Sequence, residues 1–269
     1  MACFDSGLLI GKQNGVWLKD HNSRLGDNDQ LTRVALLFLF LLSYQSLRAQ
    51  NSTTQIWGEY LLTQPLRRSY KVEGRVAYRH DLDRQVWSQW EFRVMPEKKL
   101  NKHFDVLATL QYLATEQAAS FTTREIREGL GTRIHFTPGS RIDTRLLLRV
   151  EQRNVYKVNA ENWDHTSRGR IRAEAQGPIN QKTMSGNHVW YALADVEAFL
   201  FVDANMDERF ANRLRARAGM GYKLSHQWQF EIIYMWQESK NTLADDYENQ
   251  QSIIRLRVRQ TLNNKNLKQ

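Results

Sequence analysis

From Gln55 onward the chain alternates between apolar and polar residues over segments of roughly ten or more, a period of two that belongs to strands and not to helices. Leu214, Ala216, Ala218, Met220 and Tyr222 interleave with Arg213, Arg215, Arg217, Gly219 and Gly221. Ile254, Leu256 and Val258 interleave with Arg255, Arg257 and Arg259. The same pattern sets Ile142, Leu146, Leu148 and Val150 against Asp143, Arg145, Arg149 and Glu151, and Ile171, Ala173 and Ala175 against Arg168, Arg170, Arg172 and Glu174. Successive strand side chains point to opposite faces. A chain of such segments must therefore build a sheet with one apolar and one charged surface.

The segments number eleven: 55–64, 69–81, 86–98, 103–116, 122–137, 141–155, 164–176, 188–202, 208–223, 227–239 and 250–262. Tight links at 100–102, 138–140 and 225–226 alternate with longer polar ones at 156–163, 203–207 and 240–249, as in an up-and-down meander. A closed antiparallel sheet in a bacterial outer membrane normally has an even number of strands. The expectation is therefore 10 or 12, with one strand merged or hidden in 177–188.

Ahead of the strands lies the one continuously apolar run, Val34–Leu42, with Arg33 before it and Ser-Tyr-Gln-Ser-Leu-Arg-Ala-Gln after it. A basic residue, an apolar stretch of about ten and a small residue at the end describe a secretory signal peptide. It is too short for a transmembrane helix. Cleavage is expected after Ala49, and Met1–Gln30, polar and mixed in charge, reads as an N-terminal extension from a start codon set too far upstream. The domain reading is thus 1–49 for extension plus signal and 50–269 for a single barrel. The one cysteine, Cys3, falls in the extension, which excludes thiol catalysis, cysteine metal sites and disulfides from the exported part.

A net charge of +9 over 269 residues invites a nucleic-acid reading. The basic residues instead recur at every second position and are diluted with acids, unlike a clustered patch with stacking aromatics. Export also argues against nucleic acid. The expected partners are outer-membrane lipids and small anionic solutes.

Alternation alone also fits a soluble periplasmic barrel or sandwich with its apolar face inside. Three features favour the inverted arrangement. Segments of 11–15 residues exceed the usual soluble strand and suit a tilted bilayer crossing. Tyr60, Tyr78, Trp90, Trp190, Tyr222, Trp228 and Trp236 lie toward segment ends, like girdles at a membrane interface. The polar face is crowded with arginine and carboxylates, where a water-facing surface would normally use more lysine. The fold class is all-β: a transmembrane up-and-down antiparallel barrel of about 10–12 strands, porin-like, in a Gram-negative outer membrane.

The opening Ile56-Trp57-Gly58-Glu59-Tyr60 and strand–turn–strand units such as Lys99–His103 and Gly221–Trp228 resemble a family of uncharacterised bacterial outer-membrane barrels. That family is known only as a domain of unknown function and is common in Bacteroidota-type genomes. The resemblance covers about 55–262, implies an outer-membrane location and carries no assigned activity. The chain departs from such barrels in its polar, basic end, Asn263–Gln269, where they commonly end in an aromatic residue.

With the apolar rows outside, the lumen receives eighteen basic residues: Lys71, Arg75, Arg79, Arg93, Arg127, Arg133, Arg145, Arg149, Arg153, Arg168, Arg170, Arg172, Arg213, Arg215, Arg217, Arg255, Arg257 and Arg259. Facing them are eleven acids: Glu59, Glu73, Glu91, Asp105, Glu125, Asp143, Glu151, Glu174, Asp195, Glu197 and Glu231. Two outcomes are open. Arginine rings lower the barrier for anions and would line a pore or pocket. Alternatively, small barrels fill their interiors, and buried arginine must find carboxylates, which would give a salt-bridged plug.

Enzyme readings are weaker, an outer-membrane lipid-modifying or hydrolytic enzyme being the main alternative. Asp164-His165-Ser167 is a triad fragment by adjacency, whereas catalytic groups are assembled by geometry. His103 and His135 sit beside tight turns and read as polar rim residues. No histidine pair has metal-ligand spacing, and no Gly-rich phosphate loop is present, so no cofactor, metal or catalytic residue is assigned. Gly129-Leu130-Gly131 and Gly219-Met220-Gly221 lie within strands, where glycine suits bends or close approach. The acidic run Asp245–Glu248 reads as a solvated loop.

Overall fold

The computed structural model describes residues 53–67, 69–83, 87–117, 122–201, 213–241 and 246–263, all in the second of two units, Asn51–Gln269. The expected extension and signal peptide lie outside the described residues, as does the connection 202–212. Eleven strands follow in chain order: β1 (Thr53–Arg67), β2 (Tyr70–Asp81), β3 (Ser88–Lys99), β4 (Phe104–Glu116), β5 (Thr123–His135), β6 (Asp143–Lys157), β7 (Asn162–Pro178), β8 (Val189–Phe201), β9 (Arg213–Lys223), β10 (Trp228–Asn241) and β11 (Asp246–Thr261). They form one closed barrel in which each strand pairs with its sequence neighbours and β11 returns to β1.

The count of eleven corrects the expectation of 10 or 12. Residues 177–188 hide no strand: Gly177 and Pro178 end β7, and 179–188 is a connection. An odd number of up-and-down strands brings the last one alongside the first in the same direction. The barrel closes accordingly through a parallel pair, in register from Thr53↔Gln251 to Thr63↔Thr261, while every other pairing is antiparallel.

Two expected loops also shrink. β6 and β7 run on to a four-residue turn at 158–161, in which Glu161 takes a positive φ of 51°. β10 and β11 extend to Asn241 and back to Asp246, so most of the acidic run is strand backbone and Asp245 lies outside the described residues. The short-turn and long-loop ends are also less distinct than expected. The ten-residue connection 179–188 shares its rim with the tight turns 100–103 and 224–227.

Following directly paired residues around the barrel from Glu59 reaches Asp164 on β7 by one route and Pro178 by the other, fourteen residues farther along the same strand. This stagger requires tilted strands, typically by about 35–45° for a closed sheet. It also sets which residues of distant strands share a level in the lumen.

The faces divide as the alternation requires. Ile56, Val76, Val94, Leu110, Leu130, Val150, Ile171, Val196, Ile232 and Leu256 are exposed on the outer surface, Leu130 at 71%. The alternate positions are buried and largely charged, including Glu59, Glu91, Glu151, Arg149, Glu197, Arg217 and Arg255. The outer face of the barrel is rich in exposed apolar residues and its interior is largely charged.

Candidate functional site

The lumen is a lattice of arginine–carboxylate bonds. Arg213 opens β9 opposite Phe199, and its side chain lies outside the described part of the structure. Each of the other seventeen basic residues expected inside is ion-paired. Carboxylates are the scarcer partner, so most hold several guanidinium groups. Glu59 on β1 takes Arg75, Arg255 and Arg257 at 2.7–2.8 Å. Glu151 takes Arg149, Arg168 and Arg170; Glu197 takes Arg170, Arg215 and Arg217. Glu125 joins Arg127 to Arg153, Glu174 joins Arg145 to Arg172, and Glu231 joins Arg257 to Arg259. Asp195 binds Arg217, and Asp143 reaches Arg145 at 3.6 Å.

This pattern follows from the pleat and the stagger together. Inward residues repeat every second position, and a guanidinium on a long stem reaches the neighbouring strand or the next rung. Bidentate or bridging geometry is the strong form of such contacts. Burial makes it necessary, because an unpaired charge out of water costs several kcal/mol.

Two contributors were not recognised in the sequence. Glu97 on β3, 5% exposed, binds Lys71 and Arg133 at 2.7 and 2.6 Å. Its alternation with Pro96 and Lys98 masks its inward register, because Lys98 breaks the apolar row. Tyr191 on β8, buried, donates from its hydroxyl to Glu231 at 2.8 Å. Its ring lies against Gly221 of β9, where a Cβ would come within 2.2 Å of it. Gly131 similarly makes room for the stem of Arg149. The strand glycines thus serve close approach, as their placement suggests.

Among the described residues, two buried apolar clusters interrupt the charged lumen, one of them Met95, Leu107 and Leu147. Trp57, Met235 and Ile253 form the other, with the guanidinium groups of Arg79 and Arg255 over the Trp57 ring at 4.1 and 5.3 Å. Phe199 is ringed by Arg168, Arg170 and Arg215 at 4.6–5.1 Å. Such cation–π contacts hold a cation without consuming a carboxylate. A cavity of about 420 Å³ is bordered by Trp57, Leu61, Met95 and Leu147 and lined otherwise largely by charged side chains from all around the barrel. Met184 of the connection 179–188 lines it too, and Lys223 donates to the Met184 carbonyl oxygen at 2.6 Å.

The outer aromatics form local groups. Tyr78 and Trp90 sit 4.9 Å apart, and Trp190 and Tyr222 sit 4.8 Å apart on β8 and β9, with Trp228 beginning the adjacent β10. Trp236 lies toward the opposite end of β10. Tyr60 differs: it is mid-strand between Val76 and Val258, with its hydroxyl donating to Gln260.

The triad fragment does not assemble. His165 bonds Asn154 at 2.7 Å, Ser167 donates to Gln152, and Asp164 pairs with Lys157 from the opposite face of β7. A period of two separates Asp164 from both of the other members. His103 and His135 do lie at a rim, where His135 contacts Asp105 at 2.8 Å.

Fold and interior together define a closed β-barrel with an ion-paired core and an apolar outer surface. Residues 54–248, spanning β1 to the start of β11, match the model of a family described as a protein of unknown function, DUF2490, and the chain belongs to that family. No curated protein matches the chain.

Proposed function

We propose that this chain is an integral outer-membrane β-barrel whose arginine-rich lumen is a blind, anion-receptive pocket and not an open pore. The observation that carries the membrane reading is the inversion of polarity. Large apolar residues at the exposed positions cover the outside of strand after strand, whereas monomeric soluble proteins rarely expose such continuous surface. A bilayer accepts that surface, and closure leaves no unpaired sheet edge within it.

The blind lumen is supported by the buried Trp57 cluster and Phe199 and by carboxylates that brace three strands at a time. Arginine in excess of carboxylate favours anions within the space that is left. The signal-peptide reading of Val34–Leu42 agrees with export.

Fractionation of native cells tests the location: the protein should pellet with outer membranes and migrate faster on unboiled than on boiled gels. Recovery in the soluble periplasmic fraction would overturn it. In planar bilayers the purified barrel should be silent; steady anion-selective steps would overturn the blind lumen.

A further inference from the structure

Three pairs of arginines stand directly opposite each other on neighbouring strands: Arg127 and Arg153, Arg149 and Arg170, and Arg75 and Arg93. Like charges in directly opposed positions destabilise a sheet unless something intervenes. For the first two pairs a carboxylate does. Glu125 accepts from Arg127 at 2.7 Å and from Arg153 at 2.6 Å, and Glu151 bonds both Arg149 and Arg170.

The third pair is different. Arg75 bonds Glu59 and Arg93 bonds Glu73, each at 2.8 Å, and among the described residues no carboxylate contacts both. The Nε of Arg93 is buried without a hydrogen-bond acceptor, and that of Arg75 has only the Glu91 carboxylate, at 3.4 Å and outside hydrogen-bond geometry. Arg75 lies within electrostatic range of Arg172 as well as Glu73, and Arg93 within range of Arg149 as well as Glu59. All four line the cavity of about 420 Å³.

We propose that Arg75 and Arg93 hold a small phosphate-type oxyanion between them, taken from solution into the lumen cavity. Its oxygens do for this pair what Glu125 and Glu151 do for the other two. Guanidinium forks match the spacing of phosphate oxygens, and several converging cations favour a dianion over chloride. A cavity of this size inside a barrel suits a small solute. The inference rests on the blind-lumen reading but not on the membrane location.

The test is calorimetric titration of the intact, detergent-solubilised barrel with inorganic phosphate, at constant ionic strength maintained with chloride. Wild type should bind saturably. Arg93→Gln should weaken binding by about tenfold or more, the loss expected for one charged hydrogen-bonding partner. Gln111→Glu places a tethered carboxylate directly opposite Arg93 and should weaken binding comparably without removing a cation. Lys102→Gln, on an exposed turn, should leave binding unchanged.

Heat-modifiable migration of each variant reports that the barrel is folded. If Arg93→Gln does not fold, Gln111→Glu carries the test. No saturable binding to wild type, or unaltered binding in the Gln111→Glu variant, overturns the proposal. A membrane-located, silent barrel that ignores phosphate sinks this inference alone. A soluble barrel that binds it sinks the membrane location alone.

Discussion

Glu59 on β1 and Arg255 on β11 join the two ends of the sheet: Arg255 Nη2 donates to both carboxylate oxygens, at 2.7 and 2.9 Å, across 196 residues of chain. Arg257 adds a bond at 2.8 Å from the same strand. The contact lies at the parallel seam, and parallel pairing is slightly less stable per residue than antiparallel. A fully buried carboxylate that spans the seam thus reinforces the closure where the ladder is weakest.

Removing that carboxylate should open the seam preferentially. Glu59→Gln leaves buried guanidinium groups underpaired and should lower stability by about 3–5 kcal/mol. Glu116→Gln, whose side chain is 71% exposed and 3.9 Å from Arg124, should change it by less than about 1 kcal/mol. Thermal loss of the fast-migrating folded band measures both.

Charge placed on the outer surface should distinguish bilayer from water. Ile232, 57% exposed, lies mid-strand on β10. Ile232→Arg should cost about 2–4 kcal/mol if that position lies near the bilayer midplane and should reduce membrane integration. In water the same change at an exposed site stays within about 0.5 kcal/mol. Folding titrations in lipid vesicles read the difference.

The Trp57 cluster should be what closes the lumen. Trp57→Ala with Met235→Ala removes two of its three members. Conductance, absent from wild type, should appear with a preference for chloride over potassium, since the widened section is bordered by Arg79 and Arg255. A variant that is folded on unboiled gels and still silent would show that this cluster is not what closes the lumen.

Gly221 should tolerate no side chain. A valine there would press into the Tyr191 ring, which is 1% exposed and bonded to Glu231. Overpacking of this kind costs about 1–3 kcal/mol. Melting in detergent should fall accordingly, whereas Gly58→Ala, with open space around the added methyl, should not lower it by more than the few tenths expected of an outer-surface change.

How much of this was legible in the sequence varies by residue. Rows such as Arg213–Tyr222 exposed the period of two, so strand positions and the division into faces followed directly. Inward apolar residues were harder. Ile232, Ile233, Tyr234, Met235 and Trp236 form an unbroken apolar run, in which the inward pair Ile233 and Met235 is hidden between outward neighbours. Glu97 was lost beside Pro96 and Lys98 for a related reason.

Local alternation determined the strands and their two opposite faces, because side-chain direction along a strand is set by the pleat alone; segment length, the aromatic positions and the arginine-rich polar face pointed the charged side inward. The parity of closure, the pairing of each arginine and the level of the apolar clusters were decided by tertiary structure. They depend on a stagger of fourteen residues around the barrel, which accumulates over every register at once and is written in no single segment. Glu59 is a carboxylate on the inner face by sequence; it becomes the clasp of the barrel because that stagger delivers Arg255 to it.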